Sequence, residues 1–160
     1  MSADLNLTDY LPYLLNRAGS RIATSFTREL RGFDISLQMW RTLAALHHAD
    51  GQRIGGLAAL TSIDVSTLSR MVGGLEKKGL VRRRRTGSAD GDARIVTVHL
   101  TGRGRALTER IIPLALAYEH AALAGFDGTE TVMLKGMLRR LYRNMDALAG
   151  LASTGPLAAE

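Results

Sequence analysis

A mainly α-helical fold with one small β-hairpin is what this sequence predicts, and three observations predict it. Apolar residues recur at spacings of three and four along most of the 160 residues, the period of a helix with one buried face. Only the window from Val81 to Leu100 changes to short β-prone runs, and a cluster of turn residues lies at its middle. Positive charge gathers around that window: residues 53–110 hold 12 Lys and Arg against 5 Asp and Glu, a net +7, while the rest holds 9 against 10. The formal +6 of the chain is therefore local. Helices around a basic hairpin make the layout of a winged helix-turn-helix.

The elements follow in order. From Leu5 to Leu30, the residues Leu7, Leu11, Leu14, Ala18, Ile22 and Phe26 line one face of a first helix, and Gly32 is its stop. Ser36 caps a second helix carrying Met39, Trp40, Leu43 and Leu46, ended by Asp50-Gly51. A short third helix covers Gly55 to Leu60. After the break at Thr61 to Asp64, a fourth helix spaces Leu68, Met71, Val72 and Leu75 as i, i+3, i+4, i+7. It stops at Gly79, which tolerates a left-handed backbone, behind Lys77 and Lys78, whose charges complement the helix dipole. Val81 to Thr86 and Ile95 to Leu100 are strands joined by Gly87-Ser88-Ala89-Asp90-Gly91-Asp92. Thr101 caps a fifth helix through Leu107, Ile111, Leu114 and Tyr118. After Gly125 to Gly128, a last helix repeats Leu134, Leu138, Leu141, Met145 and Leu148 at 4, 3, 4, 3 spacing, a coiled-coil-like seam. Such a stripe stays dry only against another helix, of this chain or of a second copy. The stretch 150–160 is small, polar and Pro-containing and reads as a flexible tail.

A local excess of Lys and Arg gains affinity for a polyanion by displacing the counterions condensed on its phosphates. In a winged helix-turn-helix the second helix of the pair enters the major groove and the hairpin follows the backbone. The polar side of the fourth helix offers Ser66, Thr67, Ser69, Arg70 and Lys77; small hydroxyls permit close approach and Arg70 can fork onto a guanine. Ser66 or Thr67 can instead cap the helix. Gly73-Gly74 sits mid-helix at a cost of about 1 kcal/mol each relative to alanine; the pair allows close approach to DNA or to a neighbouring helix, or merely weakens the turn. Arg82 to Arg85 alternate between the two faces of their strand, so two of them, assigned as Arg83 and Arg85, turn to DNA. Asp92 lies on the same side of an extended segment as Arg94 and can orient its guanidinium for a narrow groove, or simply form a hairpin ion pair.

The ordered set Leu57-Ala58, Ser66-Thr67-Leu68-Ser69-Arg70, Leu75-Glu76-Lys77-Lys78-Gly79-Leu80-Val81, Asp92-Ala93-Arg94 and Val98-His99-Leu100-Thr101-Gly102-Arg103-Gly104 resembles the multiple-antibiotic-resistance regulator (MarR) family. The resemblance implies a homodimeric transcriptional regulator, in sense a repressor, bound to a pseudo-palindromic double-stranded DNA operator and released by a small effector. It places Ser66, Thr67, Ser69 and Arg70 on the recognition helix and Asp92 and Arg94 on the wing. It divides the chain into a winged helix-turn-helix at 36–100 and dimerisation helices at 5–31 and 102–149, with Leu11, Leu14, Leu134, Leu138, Leu141, Met145 and Leu148 at the dimer interface. Where the family commonly has Asp-Arg, this chain has Gly73-Gly74, so a contact made there by relatives is absent and operator affinity leans on the arginine-rich strand. Effectors of such regulators bind between the dimerisation helices and the DNA-binding lobe; the candidates here are Tyr13, Arg17, Trp40, His47 and Tyr118, an aromatic wall with a cation suited to a phenolic acid or a related thioester.

Other classes are disfavoured. With no cysteine there is no disulfide scaffold, thiolate metal site or thiol redox sensor. Four scattered histidines, with His47 and His48 adjacent and pointing apart, do not make a metal site, and no cofactor is expected. No nucleophile elbow, phosphate loop or zinc-protease motif occurs, so no enzyme is expected. No signal peptide or bilayer-length apolar run is present, so the expected location is the cytoplasm, without a membrane partner. The remaining alternative is a ligand-independent architectural or RNA-binding winged helix. RNA recognition favours exposed aromatics for stacking, and residues 53–110 contain no Phe, Trp or Tyr.

Overall fold

Two caps expected from the sequence anchor the architecture in the computed structural model, which describes residues 5–86 and 95–154. The Ser36 hydroxyl accepts the Met39 N–H at 3.2 Å, and the Thr101 hydroxyl accepts the Gly104 N–H at 2.9 Å. The elements are α1 (Leu11–Leu30), α2 (Leu37–His48), β1 (Gln52–Arg53), α3 (Ile54–Thr61), α4 (Val65–Lys77), β2 (Val81–Thr86), β3 (Ile95–Leu100), α5 (Gly102–Ala122) and α6 (Gly128–Thr154). Short 3-10 turns at Leu7–Asp9 and Arg31–Phe33 flank α1. The strands form one antiparallel sheet in the order β1-β3-β2, with Val81 opposite Leu100 and Arg83 opposite Val98. The fold is mostly helical with a small sheet, as the apolar periodicity predicts.

The chain divides into two compact units, residues 1–119 and 120–160. In the first, Leu43, Leu46, Leu57, Leu68, Val72, Leu75, Val98 and Ile111 are fully buried, drawn from α2, α3, α4, β3 and α5. Phe26 and Leu30 of α1 close the same core. Its buried hydroxyls are satisfied within their own helices: Thr42 donates to the Gln38 carbonyl, Thr61 to Leu57 and Thr108 to Gly104. Gly104 is needed for packing, because a Cβ there would overlap the Leu80 carbonyl. The expected stop at Gly79 is realised with φ +69°.

Three features differ from expectation. The first is β1, a third strand; two residues are too few to show an alternating pattern, and Arg53 pairs with Thr97 across the sheet. The second is the division of the chain. The expected boundary falls at 100/102, whereas the compact units meet at 119/120 and Gly104, Thr108 and Ile111 of α5 are buried in the first; a role of α5 in dimerisation is untouched by this. The third is the end of the chain: α6 continues to Thr154, because Ala147, Leu148, Ala149, Leu151 and Ala152 are good helix formers. The rest of the expected tail, 155–160, lies outside the described residues.

The second unit consists mainly of α6, opened by a reciprocal capping box in which Asp127 and Glu130 each accept the other's backbone N–H, at 2.8 and 2.9 Å. Of the seam residues, Leu134 and Leu141 are half-buried while Leu138, Met145 and Leu148 are exposed. Val132, Met133, Met137 and Tyr142 are exposed too, so the apolar face is broader than the heptad stripe. In the first unit Leu5, Leu7, Tyr10, Leu11 and Leu14 form an exposed apolar cluster near the N-terminus, and Ile22, Leu60, Val65 and Leu116 are exposed singly.

Candidate nucleic-acid interface

The helix-turn-helix is α3, a tight turn and α4. Ser62 closes α3 in the left-handed region at φ 53°, a conformation unusual for a residue with a Cβ. Asp64 then opens α4: its carboxylate accepts the Thr67 N–H at 2.8 Å and the Ser66 hydroxyl at 2.7 Å. These two donors hold the Asp64 carboxyl far below its ordinary value of 3.8, the Ser66 hydrogen bond contributing most. The cap is thus Asp64, and neither Ser66 nor Thr67 caps the helix. Leu68, Val72 and Leu75 turn into the core, leaving Val65, Ser66, Ser69 and Arg70 exposed on one face. The Arg70 guanidinium approaches the Thr67 hydroxyl at 3.5 Å, a long hydrogen bond that leaves most of its fork free.

Arg83 is not extended. Its backbone N–H donates to Glu76 at 3.0 Å, its guanidinium reaches the same carboxylate at 3.4 Å, and a second guanidinium nitrogen donates to the Ser69 carbonyl at 2.9 Å. One arginine therefore ties β2 to two turns of α4. The alternation that divides Arg82 to Arg85 between faces contains the reason: Arg83 shares a face with Val81, which is buried, and so turns toward α4. Arg82 and Arg84 take the other face, where Arg84 and Arg53 flank Thr97 across the sheet. Arg85 is exposed.

The two glycines have different neighbours. A Cβ at Gly73 would lie 3.9 Å from the Arg83 guanidinium, so Gly73 is the floor over which Arg83 reaches Ser69. A Cβ at Gly74 would lie 3.4 Å from the Met39 methyl, so Gly74 accommodates α2. Both are ordinary contact distances to the ends of flexible side chains, so each glycine faces protein and neither is sterically required there. Lys77 stands apart from the N-terminal face; eleven residues of helix separate it from Ser66, about 16 Å. Asp92 and Arg94 lie outside the described residues.

Lys77 also lines a cleft of ≈ 450 Å³ with Lys78, Arg103 and Arg110, beside the apolar side chains of Phe33 and Leu107. The Arg110 guanidinium sits over the Phe33 ring at 5.6 Å. Asp34, the acidic residue in the lining, is hydrogen-bonded to Lys78, and that bond followed by the ammonium charge lowers its pKa. Sequence patterning missed this cleft because its cations come from two helices and its carboxylate from a left-handed turn at φ 54°.

The five residues expected to form an effector wall fall into separate groups. Arg17 stacks on Tyr13 at 5.4 Å near the start of α1. Trp40 and Tyr118 meet Phe26 edge-on at 5.8 and 5.4 Å, and Phe26 is nine residues beyond Arg17, about 13 Å along the helix. The Tyr118 hydroxyl donates to Glu29 at 3.0 Å, a bond that raises its pKa. His47 pairs with Glu109 at 3.9 Å. Trp40 and Tyr118 pack against the core and are not joined to Arg17.

Comparison with known proteins matches this geometry. The MarR family profile matches residues 35–96, which span the winged helix from before α2 into β3. A MarR family transcriptional regulator from Silicibacter pomeroyi of known structure is 33% identical, with a TM-score of 0.79, covering 90% of this chain and 95% of its own. The HTH-type transcriptional regulator PecS of Dickeya dadantii is 28% identical over 82% of this chain and 75% of its length. The fold extends to BpsR of Bordetella bronchiseptica, whose DNA binding is regulated by 6-hydroxynicotinic acid, at 24% identity, a TM-score of 0.73 and coverage of 87% and 98%. Among the described residues, no helix is long and apolar enough to cross a membrane. The helix-turn-helix, the basic strand beside it and the resemblance over nine-tenths of the chain lead to one identification: this chain belongs to the MarR family of transcriptional regulators.

Proposed function

We propose that the chain is a homodimeric repressor that places two copies of α4 in successive major grooves of a pseudo-palindromic operator, roughly 34 Å apart. The observation that carries this reading is α4 itself: its apolar side is fully buried, and its free side presents Ser66, Ser69 and Arg70 next to an arginine-rich strand. Thr67, Lys77, Arg85, Asp92 and Arg94 complete the proposed contact set, with Arg83 holding β2 against α4. The exposed apolar residues of α1 and α6, Leu11, Leu14, Leu138, Met145 and Leu148 among them, support a dimer, because patches of this kind are costly in water. A labelled duplex carrying a selected inverted repeat, challenged at constant salt with scrambled duplex and with RNA, tests the reading. The repeat is expected to compete at least about a thousandfold better; equal competition overturns it in favour of an architectural or RNA-binding role.

The proposed effector is an aromatic acid. The cleft of Lys77, Lys78, Arg103 and Arg110 over Phe33 supports that class better than the divided Tyr13, Arg17, Trp40, His47 and Tyr118 set, since it joins cations and an aromatic ring in one concavity. BpsR, whose effector is an aromatic acid, offers the same chemistry by analogy. A thermal-shift titration with 6-hydroxynicotinic acid is expected to raise Tm in the wild type and not in Arg103→Ala.

A further inference from the structure

The exposed face at the start of α4 contains one residue that is not polar. Val65 is 55% exposed, between Asp64 and Ser66 and one turn before Ser69. Single apolar residues on a surface need no special account, but three facts set this one apart. It stands at the first helical position, beside the unpaired N–H groups of the first turn, where polar or acidic residues are the usual choice. Leu60 of α3 and Leu116 of α5 are also exposed singly, but Val65 shares its exposed face with Ser66, Ser69 and Arg70 of α4. Its neighbour is already partly committed: the Ser66 hydroxyl donates to Asp64, so Ser66 can only accept from a base.

In helix-turn-helix docking the N-terminal turn of the second helix reaches the base edges. The major-groove group that suits a rigid, branched aliphatic side chain is the 5-methyl of thymine, the apolar mark on an otherwise polar base-pair edge. We infer that Val65 is a specificity-determining residue that reads a thymine methyl in each operator half-site. Its short β-branched side chain has a single χ torsion, so the contact costs little side-chain entropy. The inference rests on the operator reading above.

The test uses the full chain and duplexes enriched from a random library, with deoxyuridine replacing each thymine in turn. Deoxyuridine keeps the base pair and removes only the methyl. The wild type is expected to lose about fourfold in affinity per half-site at one thymine position. Val65→Ala is expected to bind the thymine and deoxyuridine duplexes equally, at the affinity of the wild type for the deoxyuridine duplex. Because Val65 is exposed, this variant keeps its fold, which an unchanged Tm verifies. Wild-type indifference to deoxyuridine at every thymine overturns the inference, and so does a thymine preference that persists in Val65→Ala. A library with no enriched inverted repeat overturns the operator reading and this inference together.

Discussion

Both α4 and α6 are amphipathic, and they treat their apolar sides in opposite ways. In α4, Leu68, Val72 and Leu75 are wholly buried by α2, α3 and the sheet, and only the working face remains outside. In α6, Val132, Met133, Met137, Leu138, Tyr142, Met145 and Leu148 are all exposed in the single chain. The first helix is fixed by its own chain and can hold side chains in register for a ligand. The second keeps those side chains exposed among the described residues, and the dimer proposed above would cover them.

Four experiments break or sharpen that contrast. The largest effect is expected at Gly104, where any Cβ meets the Leu80 carbonyl: Gly104→Ala should destabilise the first unit by about 3 kcal/mol, at the upper end of the usual cost of overpacking. Thermal unfolding followed by circular dichroism measures it, and a loss under about 1 kcal/mol would show that the backbone relaxes freely there. Next, Leu138→Glu with Leu141→Glu should give monomers by sedimentation that keep the unfolding transition of the first unit but bind the operator about a hundredfold more weakly, since paired half-sites contribute through effective concentration. A stable dimer would remove α6 from the interface.

The third experiment separates two arginines. Arg94→Ala should lower the salt slope of operator binding by about one, as expected for a lost phosphate contact. Arg83→Ala should weaken binding with the slope unchanged, because its guanidinium is engaged by Glu76 and Ser69; a slope that falls equally would return Arg83 to the DNA-contacting set. The smallest effect concerns Asp64. Its folded pKa lies below the ordinary 3.8, so the stability that its charge contributes is present above that value and is lost only as pH falls through the lower, folded one. The Tm difference between wild type and Asp64→Ala should therefore stay constant from pH 7 to pH 5 and shrink only in stronger acid. A difference that vanishes by pH 5 would mean that the carboxylate is not held by Ser66 and Thr67.

Much of the fold was legible because it rests on local rules. Periodicity placed the helices, Ser36 and Thr101 announced their caps, and Gly79 announced a left-handed stop. The family was legible for a related reason, since its motifs record residues that serve the helix-turn-helix and its strand. What stayed hidden depends on approaches between distant elements. Arg83 looked like three other arginines until Glu76, seven residues away, supplied its partner. The double glycine admits several readings in sequence alone, and its neighbours Met39 and Arg83 come from α2 and β2. The cleft at Lys78 and the division of the aromatic wall follow from how α1, α2, α4 and α5 pack, which no single helix encodes.

Gly73 and Arg83 also bear on how this regulator can change over generations. The Arg83 guanidinium passes beside Gly73 on its way to the Ser69 carbonyl. Alanine would still fit, at ordinary contact distance, but a longer side chain at position 73 would occupy the route to the Ser69 carbonyl. The two positions are then expected to covary among descendants of this chain: a larger residue at 73 should accompany the loss of Arg83 or of its partner Glu76. An alignment in which bulky residues at 73 coexist freely with the Arg83–Glu76 pair would show that the strand is held to the helix by other means.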